Sequence, residues 1–571
     1  MKSKLFNTLW HHTLPDLGVD AHRQQAIRAL AYRLLLREDP LSHALGQIRA
    51  IMACRRELLS EVSARLPTAG GPVIIWTMRG GLQVNTTEAI IAHALRLRGV
   101  DVRVVLCDEF LPACEQRAIH VYPRGRMNPR TDRQICDRCH FNATQVFNAF
   151  ELPVVTLSSL VIPQEVASIQ KRATQMSREE ALALEDGGII LGGEVRAFVN
   201  QFYRALRWPD SSQTMQLLRK GAAAALILRQ ASDRVLEQER PRAVLTSHGI
   251  YLLWGVIKRV AQHRGIPVTV WGNGYRTGTV RLSQGNWFEA AIAEPVGVWE
   301  GLELTPERTQ RLDDYLNNRW DGKRDRRTLF GSKDGANSLT ADRLGLDSAK
   351  PTLGVFPNVA WDADLNFKDV AFQDMSEWLV ETVRFVAHHP RLQAVVRAHP
   401  GEAIATTRER SHQVIMRHFP ALPRNVVVLP AESKVNSYAI ARFVHAATVY
   451  GTQFGLELAC RGVPVIVASE CFYRAKGFTW DVKSREEYLE LLGRLDTVQP
   501  LNDELRRRAR TYAYHYYFRR LIPFPYLTSE NWSDLKDITL QSLEELLPGR
   551  NQHLDQIIEG ILENRPVVLN V

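Results

Sequence analysis

At 571 residues, with 45% hydrophobic and 23% charged residues, the chain has the composition of a globular protein long enough for two large cores plus smaller elements. Its formal net charge of +10 is spread over dispersed arginines, clustered locally at Arg324–Arg327 and Arg506–Arg510; this suits an anionic nucleotide-linked substrate or an anionic membrane surface, but solvated helix faces are the more ordinary reading of such dispersed charge, and no nucleic acid is expected as partner. No apolar run approaches the roughly 18 to 20 residues of a membrane span, and the first residues lack the apolar stretch of an export signal, so a cytoplasmic protein with reduced thiols is expected.

Residues 1–68 place Ala26, Ile27, Leu30 and Leu34, then Ile48, Met52 and Leu58, at helical spacing, which predicts a helical N-terminal leader. The period then changes. Pro72–Thr77 is a continuous apolar run that predicts a buried strand, followed by the turn Arg79-Gly80-Gly81, a helix over Thr86–Arg98 with Asn85 as its cap, and a second strand over Val102–Leu106. This is a βαβ unit of a parallel sheet.

A polar, arginine-rich insertion over 107–140 is expected at the carboxyl edge of that sheet, carrying Cys107, Cys114, Cys136 and Cys139. One C-x2-C pair and two upstream cysteines supply four soft ligands for a structural zinc site, against which stand reduced or redox-active thiols, because the C-x6-C half lacks the usual short knuckle spacing. Further strands are predicted at Pro153–Leu157, Ala243–Ser247 and Pro267–Trp271, with a mainly helical region over Arg178–Glu239 and a helix over Tyr251–His263. Residues 69–296 thus read as a first Rossmann-like domain. The turn from Gly272 to Gly278 does not match a dinucleotide fingerprint: its spacing is G-x-G-x3-G and no small-residue helix follows. It either presents Asn273 and Arg276 to a cleft or is a plain glycine turn.

The charged stretch 297–350 reads as a linker, and 351–500 as a second Rossmann-like domain with strands at Thr352–Phe356, Gln393–Arg397, Asn425–Leu429, Phe443–Tyr450 and Val465–Ala468. The strand before Gly451-Thr452-Gln453-Phe454-Gly455 runs into a helix, a placement suited to holding phosphate, although the glycines alone would equally close a packed turn. Residues 501–571 are expected to be C-terminal helices, over Leu501–Tyr517 and Leu535–Leu547.

The stretches SHGIYLLWG (Ser247–Gly255), GIPVTVWGNGYRTGTV (Gly265–Val280), PNVAWDADL (Pro357–Leu365), VRAHPGE (Val396–Glu402) and FYRAKGFT (Phe472–Thr479) together resemble the bacterial capsule polysaccharide biosynthesis glycosyltransferases, in order from about Trp76 to Pro523. The chain is more distantly similar to the Kdo and sialic acid transferases. The resemblance implies an α/β, GT-B-like fold, two Rossmann-like domains facing a central cleft, and transfer of a sugar from a nucleotide-sugar donor to a glycan or lipid-linked acceptor. It implies that His399-Pro400 approaches the donor phosphate, that Gly451, Thr452, Gln453 and Gly455 hold its other oxygens, and that Glu457 meets the ribose. Those families often carry paired hydroxyl residues where Thr452-Gln453 stands here. Lys476 and Arg474 are candidates to neutralise phosphate or an acidic sugar, and Arg79, Gly80 and Gly81 to line the opposite wall. His248, with an ordinary imidazole pKa, is the candidate general base, and Asp362 the alternative as base or sugar ligand. Asp362 and Asp364 lack a metal-binding context, so the transfer is expected to need no metal or other cofactor. Peripheral association with the inner membrane or with capsule assembly proteins is expected. The rival readings are a polyol-phosphate transferase or nucleotide-sugar epimerase on the same scaffold, and a non-catalytic scaffold of a capsule assembly complex.

Overall fold

The computed structural model describes residues 40–53, 58, 70–121, 129–205, 207–285, 287–320, 339–359, 369–404, 407–529 and 535–571. The chain forms two compact units: Met1–Phe202, Asp210–Trp287 and Leu521–Val568 make the first, and Tyr203–Pro209, Phe288–Arg520 and Leu569–Val571 the second.

In the first unit the strands are β1 (Val73–Thr77), β2 (Val102–Leu106), β3 (Val154–Thr156), β4 (Ala243–Ser247), β5 (Val268–Asn273) and β6 (Thr279–Gln284). Their order across the sheet is β3-β2-β1-β4-β5-β6, and the short strand Ile522–Pro523 adds to the edge of β6. β1 to β5 pair in parallel, while β6 and Ile522–Pro523 run antiparallel to their neighbours. β1 and β4 are buried at every position, which is why they read as unbroken apolar runs rather than as alternating ones. Helix α1 (Leu82–Arg96) makes the crossover from β1 to β2. It is followed by α2 (Glu115–Val121), α3 (Pro129–Ala149), the long α4 (Ser212–Glu239) and α5 (Tyr251–His263).

The second unit repeats the plan. Its strands β7 (Thr352–Phe356), β8 (Gln393–Arg397), β9 (Val426–Leu429), β10 (Ala446–Val449), β11 (Val465–Val467) and β12 (Trp480–Asp481) form one all-parallel sheet in the order β9-β8-β7-β10-β11-β12. Leu353, Val355, Ala394, Val396 and Ile466 of these strands pack with Trp378, Leu379 and Val383 of the following helix, Met375–Ala387, into one core. In both units the strand order reverses beside the first strand. This makes two doubly wound Rossmann-like units, each with a topological switch point where ligands of such sheets bind.

Several expectations are corrected. The charged segment 297–350 is not a plain linker: it lies within the Phe288–Arg520 stretch of the second unit, and Pro306–Trp320 is a helix. Its charge lies on the solvent face while Leu312 and Leu316, one turn apart, are buried. Trp299 is buried edge-on against Tyr512, with ring centroids 5.0 Å apart. The insertion 107–140 is not a polar loop in its described part but contains α2 and the start of α3. Asn85 is not the cap of α1, which starts at Leu82 after Gly81. Buried inside the first turns, its Nδ2 donates to Arg79 O at 2.8 Å and Thr77 Oγ1 at 3.2 Å, tying the helix to the end of β1. Residues 501–571 are not one helical domain. From Leu521 the chain belongs to the first unit, and Leu535–Ile538, expected to be helical, is a strand paired antiparallel with Leu527–Ser529. The pairing overrides the local helical pattern. Of the leader, Pro40–Met52 is a described helix.

Candidate functional site

The switch point of the second unit lies between β7 and β10, and three turns leave the same carboxyl edge there: Pro357-Asn358-Val359 after β7, Ala398-His399-Pro400 after β8, and Tyr450-Gly451-Thr452 after β10. Asn358 spans the switch point. Its Nδ2 donates to Gly451 O at 3.4 Å, and its Oδ1 accepts from Val359 N–H at 2.8 Å. It belongs to a stretch that carried the family resemblance, yet nothing local distinguished it as a bridge. Gly451 takes φ +66°, the left-handed conformation that the turn requires and that glycine adopts without strain.

His399 is half-buried, and its Nδ1 accepts from Gly401 N–H at 3.0 Å. The ring is therefore neutral, with its proton on Nε2. The strand end beneath it is braced by Arg397, whose guanidinium donates to the carbonyls of Ala398, Pro430, Ser433 and Val435 at 2.7 to 3.2 Å. Burial pushes that guanidinium down to about 10. Glu402 is buried next to the same turn and accepts from Ser411 Oγ at 2.6 Å; burial raises its pKa to about 7.

The turn after β10 is built tightly. Thr452 Oγ1 accepts from Phe454 N–H at 3.4 Å, and the Tyr473 hydroxyl donates to Thr452 O at 2.7 Å. Gly455 sits against that hydroxyl, and a Cβ there would lie 2.8 Å from Tyr473 Cζ.

Four residues expected at the ligand are occupied in the protein's own structure. Glu457 is 3% exposed; Arg319 donates to its Oε1 at 2.9 Å and Tyr438 to its Oε2 at 2.7 Å, so both oxygens are committed before any ribose arrives. Gln453 turns inward with them, donating to Tyr517 Oη at 2.8 Å and to Glu457 Oε1 at 3.3 Å. Lys476 is 2% exposed and donates to the carbonyls of Ile292 at 3.1 Å and Glu294 at 2.8 Å. Burial lowers its pKa. Arg474 likewise ties together the carbonyls of Val467 and Val482. Asp362 and Asp364 lie outside the described residues.

In the first unit the switch point lies between β1 and β4. Arg79-Gly80-Gly81 leaves β1 there and His248-Gly249 leaves β4, so the sequence-expected wall and base residues share one sheet edge. His248, Gly249 and Tyr251 have φ of +59°, +64° and +66°, a strained turn in which two of the three are not glycine. The imidazole stacks on Trp254 with centroids 4.9 Å apart. Burial, followed by the charges of Arg79 and Arg281, pushes its pKa down to about 3, which overturns the expectation of an ordinary imidazole. His248 is neutral at physiological pH and able to accept a proton, though only as a weak base.

Ser247 Oγ, His248 Nδ1 and Gln83 Oε1 are buried and make no hydrogen bond. Gln83 Nε2 donates to Asn273 Oδ1 at 3.1 Å, which fixes Asn273 at the end of β5. Arg276 donates to Leu521 O at 3.3 Å. Gly274–Gly278 forms the turn of the β5–β6 hairpin, and Gly272 and Asn273 end β5, paired with Arg281 and Val280 of β6. Glu88, expected from the Asn85–Glu88 pattern to complete a helix capping box, instead faces inward from α1: Trp271 Nε1 donates to it at 3.1 Å, and burial raises its pKa to about 7. A carboxylate midway along an apolar helix face was the available signal.

Cys107, Cys114, Cys136 and Cys139 are half-buried free thiols of the first unit, and Cys139 Sγ accepts from Gly80 N–H at 3.0 Å. A surface depression of about 520 Å³ in the second unit is lined by Tyr203, Arg207, Arg408 and Arg417 among others, and by none of the residues expected from sequence. Among the described residues no helix is long and apolar enough to cross a membrane.

No protein-family model matches the chain, and no curated protein matches it. Among solved structures it is similar to the KpsC beta Kdo 2,4 transferase of Thermosulfurimonas dismutans, with 16% identity over 48% of this chain and 80% of that one, at a TM-score of 0.32. It is also similar to the UDP-GlcNAc 2-epimerase of Neisseria meningitidis bound to UDP-GlcNAc, with 11% identity, 78% and 97% of the two chains covered, and a TM-score of 0.26. A third similar structure is the glycosyltransferase SnogD of Streptomyces nogalater, with 14% identity, 79% and 96% covered, and a TM-score of 0.24.

Proposed function

We propose that this chain is a glycosyltransferase of surface polysaccharide assembly that moves a sugar from a nucleotide-sugar donor to a glycan or lipid-linked acceptor, with peripheral association at the inner membrane. The observation that carries the reading is the second unit's switch point, where a neutral, Nε2-protonated His399 and the Gly451-Thr452 turn leave the sheet on either side of β7. When the bond from the anomeric carbon to the donor phosphate breaks, the phosphate oxygens gain negative charge. The N–H of His399, the amides of the turn and the Thr452 hydroxyl are donors that stabilise that charge without reorganising. The acceptor hydroxyl loses its proton to a base, for which His248 and Asp362 are the assigned candidates. The unpaired polar atoms of Ser247, His248 and Gln83 in the first unit are the groups an acceptor hydroxyl would satisfy. In this reading N–H donors neutralise the leaving group, and no metal takes part in the transfer.

The test is a panel of CMP-, UDP- and GDP-sugars, scored by thermal shift and by nucleotide release. One nucleotide class should stabilise the protein, and His399→Ala should abolish the shift. If no nucleotide binds, or if His399→Ala binds as the parent does, the reading fails.

A further inference from the structure

We infer that the arginine-lined depression of the second unit binds a phosphate monoester, at a site separate from the switch point where His399 stands. Two pieces of chain far apart in sequence form it. Tyr203–Pro209 belongs to the second unit although the chain on both sides of it belongs to the first, and it meets a stretch that runs from Arg408 into the helix Ser411–His418. Glu409 joins the two pieces. Its side chain is 10% exposed and both oxygens are engaged: Oε2 accepts from the Arg207 backbone N–H at 3.3 Å, and Oε1 from Arg417 Nη2 at 2.9 Å. Arg417 Nε also donates to Gln413 O at 3.4 Å. Arg207 donates through Nε and Nη2 to Asp374 Oδ2, at 3.2 and 3.1 Å. The Arg408 guanidinium lies over the ring of Tyr203, 5.4 Å from its centroid. Three guanidiniums are thereby oriented around one depression before a ligand arrives.

Two of them keep capacity for a further partner. The side chains of Arg207 and Arg417 are 57% and 60% exposed, and among the described residues Nη1 of each meets no acceptor. The lining sets three arginines against one glutamate, a surplus of two positive charges. Asp374 stands outside the lining. Its Oδ1 accepts from Glu377 N–H at 2.8 Å as the cap of the helix Met375–Ala387, so the positive end of that helix offsets part of its charge. A phosphate monoester carries about −1.5 to −2 charge at pH 7 and offers three acceptor oxygens, which match the surplus and the forked donors of arginine. A carboxylate brings a single charge and two oxygens. The volume of about 520 Å³ is many times the roughly 30 Å³ of a water molecule, so the organic part of the ester also has room, against Ala205 and Pro209.

The test uses the full chain at low salt, where exposed charges are least screened. Isothermal titration with glycerol 3-phosphate probes a soluble monoester, and glycerate is its carboxylate counterpart. Sedimentation with phosphatidylcholine vesicles, with and without phosphatidic acid, probes a lipid-borne one. Saturable binding of glycerol 3-phosphate supports a ligand in solution; binding of the phosphatidic acid vesicles without the soluble ester supports a lipid headgroup. Arg207→Gln and Arg417→Gln should each weaken the binding roughly tenfold. Arg494→Gln, which removes a more exposed arginine outside the lining, should bind as the parent does. In the wild-type chain, bound ester should protect Arg207 and Arg417 from modification by phenylglyoxal, a readout that needs no variant to fold. Binding should persist in His399→Ala; its loss there would place the phosphate at the donor site and overturn this proposal while leaving the donor reading intact. The proposal is also overturned if neither probe binds, if glycerate binds as tightly as glycerol 3-phosphate, if the two arginines stay unprotected, or if their variants bind like Arg494→Gln.

Discussion

Gly455→Ala tests whether the turn after β10 is held as tightly as its geometry implies. An alanine methyl would lie 2.8 Å from Tyr473 Cζ and 3.2 Å from Cε2, and closer still to the hydroxyl that donates to Thr452 O at 2.7 Å. Tyr473 is fully buried, so its ring has no room to swing into solvent. Displacing the hydroxyl leaves a buried donor and carbonyl unpaired, at about 1–3 kcal/mol, and overpacking adds about 1–3 kcal/mol. The intrinsic helix preference of alanine over glycine returns at most about 1 kcal/mol in the first turn of the Phe454–Cys460 helix. The net expectation is a loss of about 2–4 kcal/mol, read as a lower urea midpoint at unchanged slope. Tyr473→Phe removes the clashing oxygen, so the double variant should be more stable than the sum of the single losses predicts, by about 1 kcal/mol or more. Nucleotide-induced thermal shift should fall with Gly455→Ala, because the moved turn carries Thr452. A neutral or stabilising Gly455→Ala, or strictly additive single variants, would refute this account.

Glu88 carries a pH signature. Its carboxyl rises from 4.5 to about 7 on folding, chiefly through burial, so its favourable contribution is complete below pH 4.5 and is lost as pH rises through 7. Glu88→Gln should therefore gain about 3 kcal/mol relative to the parent across that window, measured by urea unfolding at each pH. Glu457→Gln should lower the stability of the second unit by about 3 kcal/mol, since it leaves the Arg319 charge buried without its partner. A change confined to nucleotide affinity would instead restore the ribose role. His248, displaced to about 3, should show no imidazole titration by NMR between pH 5 and pH 8, whereas an ordinary histidine would titrate near pH 6.5. Its contribution is present above pH 6.5 and is lost as pH falls toward 3.

The paired Rossmann-like plan was legible because fully buried parallel strands leave a local trace, short apolar runs such as Val73–Thr77 and Thr352–Phe356 that end in polar turns. His399, Gly451 and His248 were legible for the same reason, as polar or glycine residues directly after such runs. Chain order alone did not reveal which strands neighbour one another. Pairing of β1 with β4 and of β7 with β10 made those turns into switch points, and it drew Asn358 into a bridge to Gly451. Nor did it reveal which charged groups were already engaged. Glu457 meets Arg319 from 138 residues away and Lys476 meets Ile292 O from 184, separations at which no sequence period operates. Leu535–Ile538 carried a helical pattern and became a strand because its partner, Leu527–Ser529, offered hydrogen bonds that a helix there would have forgone. The sequence by itself determined the strands, their polar ends and the doubly wound class. Tertiary structure decided which of those ends form sites, because side-chain ionisation and hydrogen bonding depend on neighbours that only folding brings together.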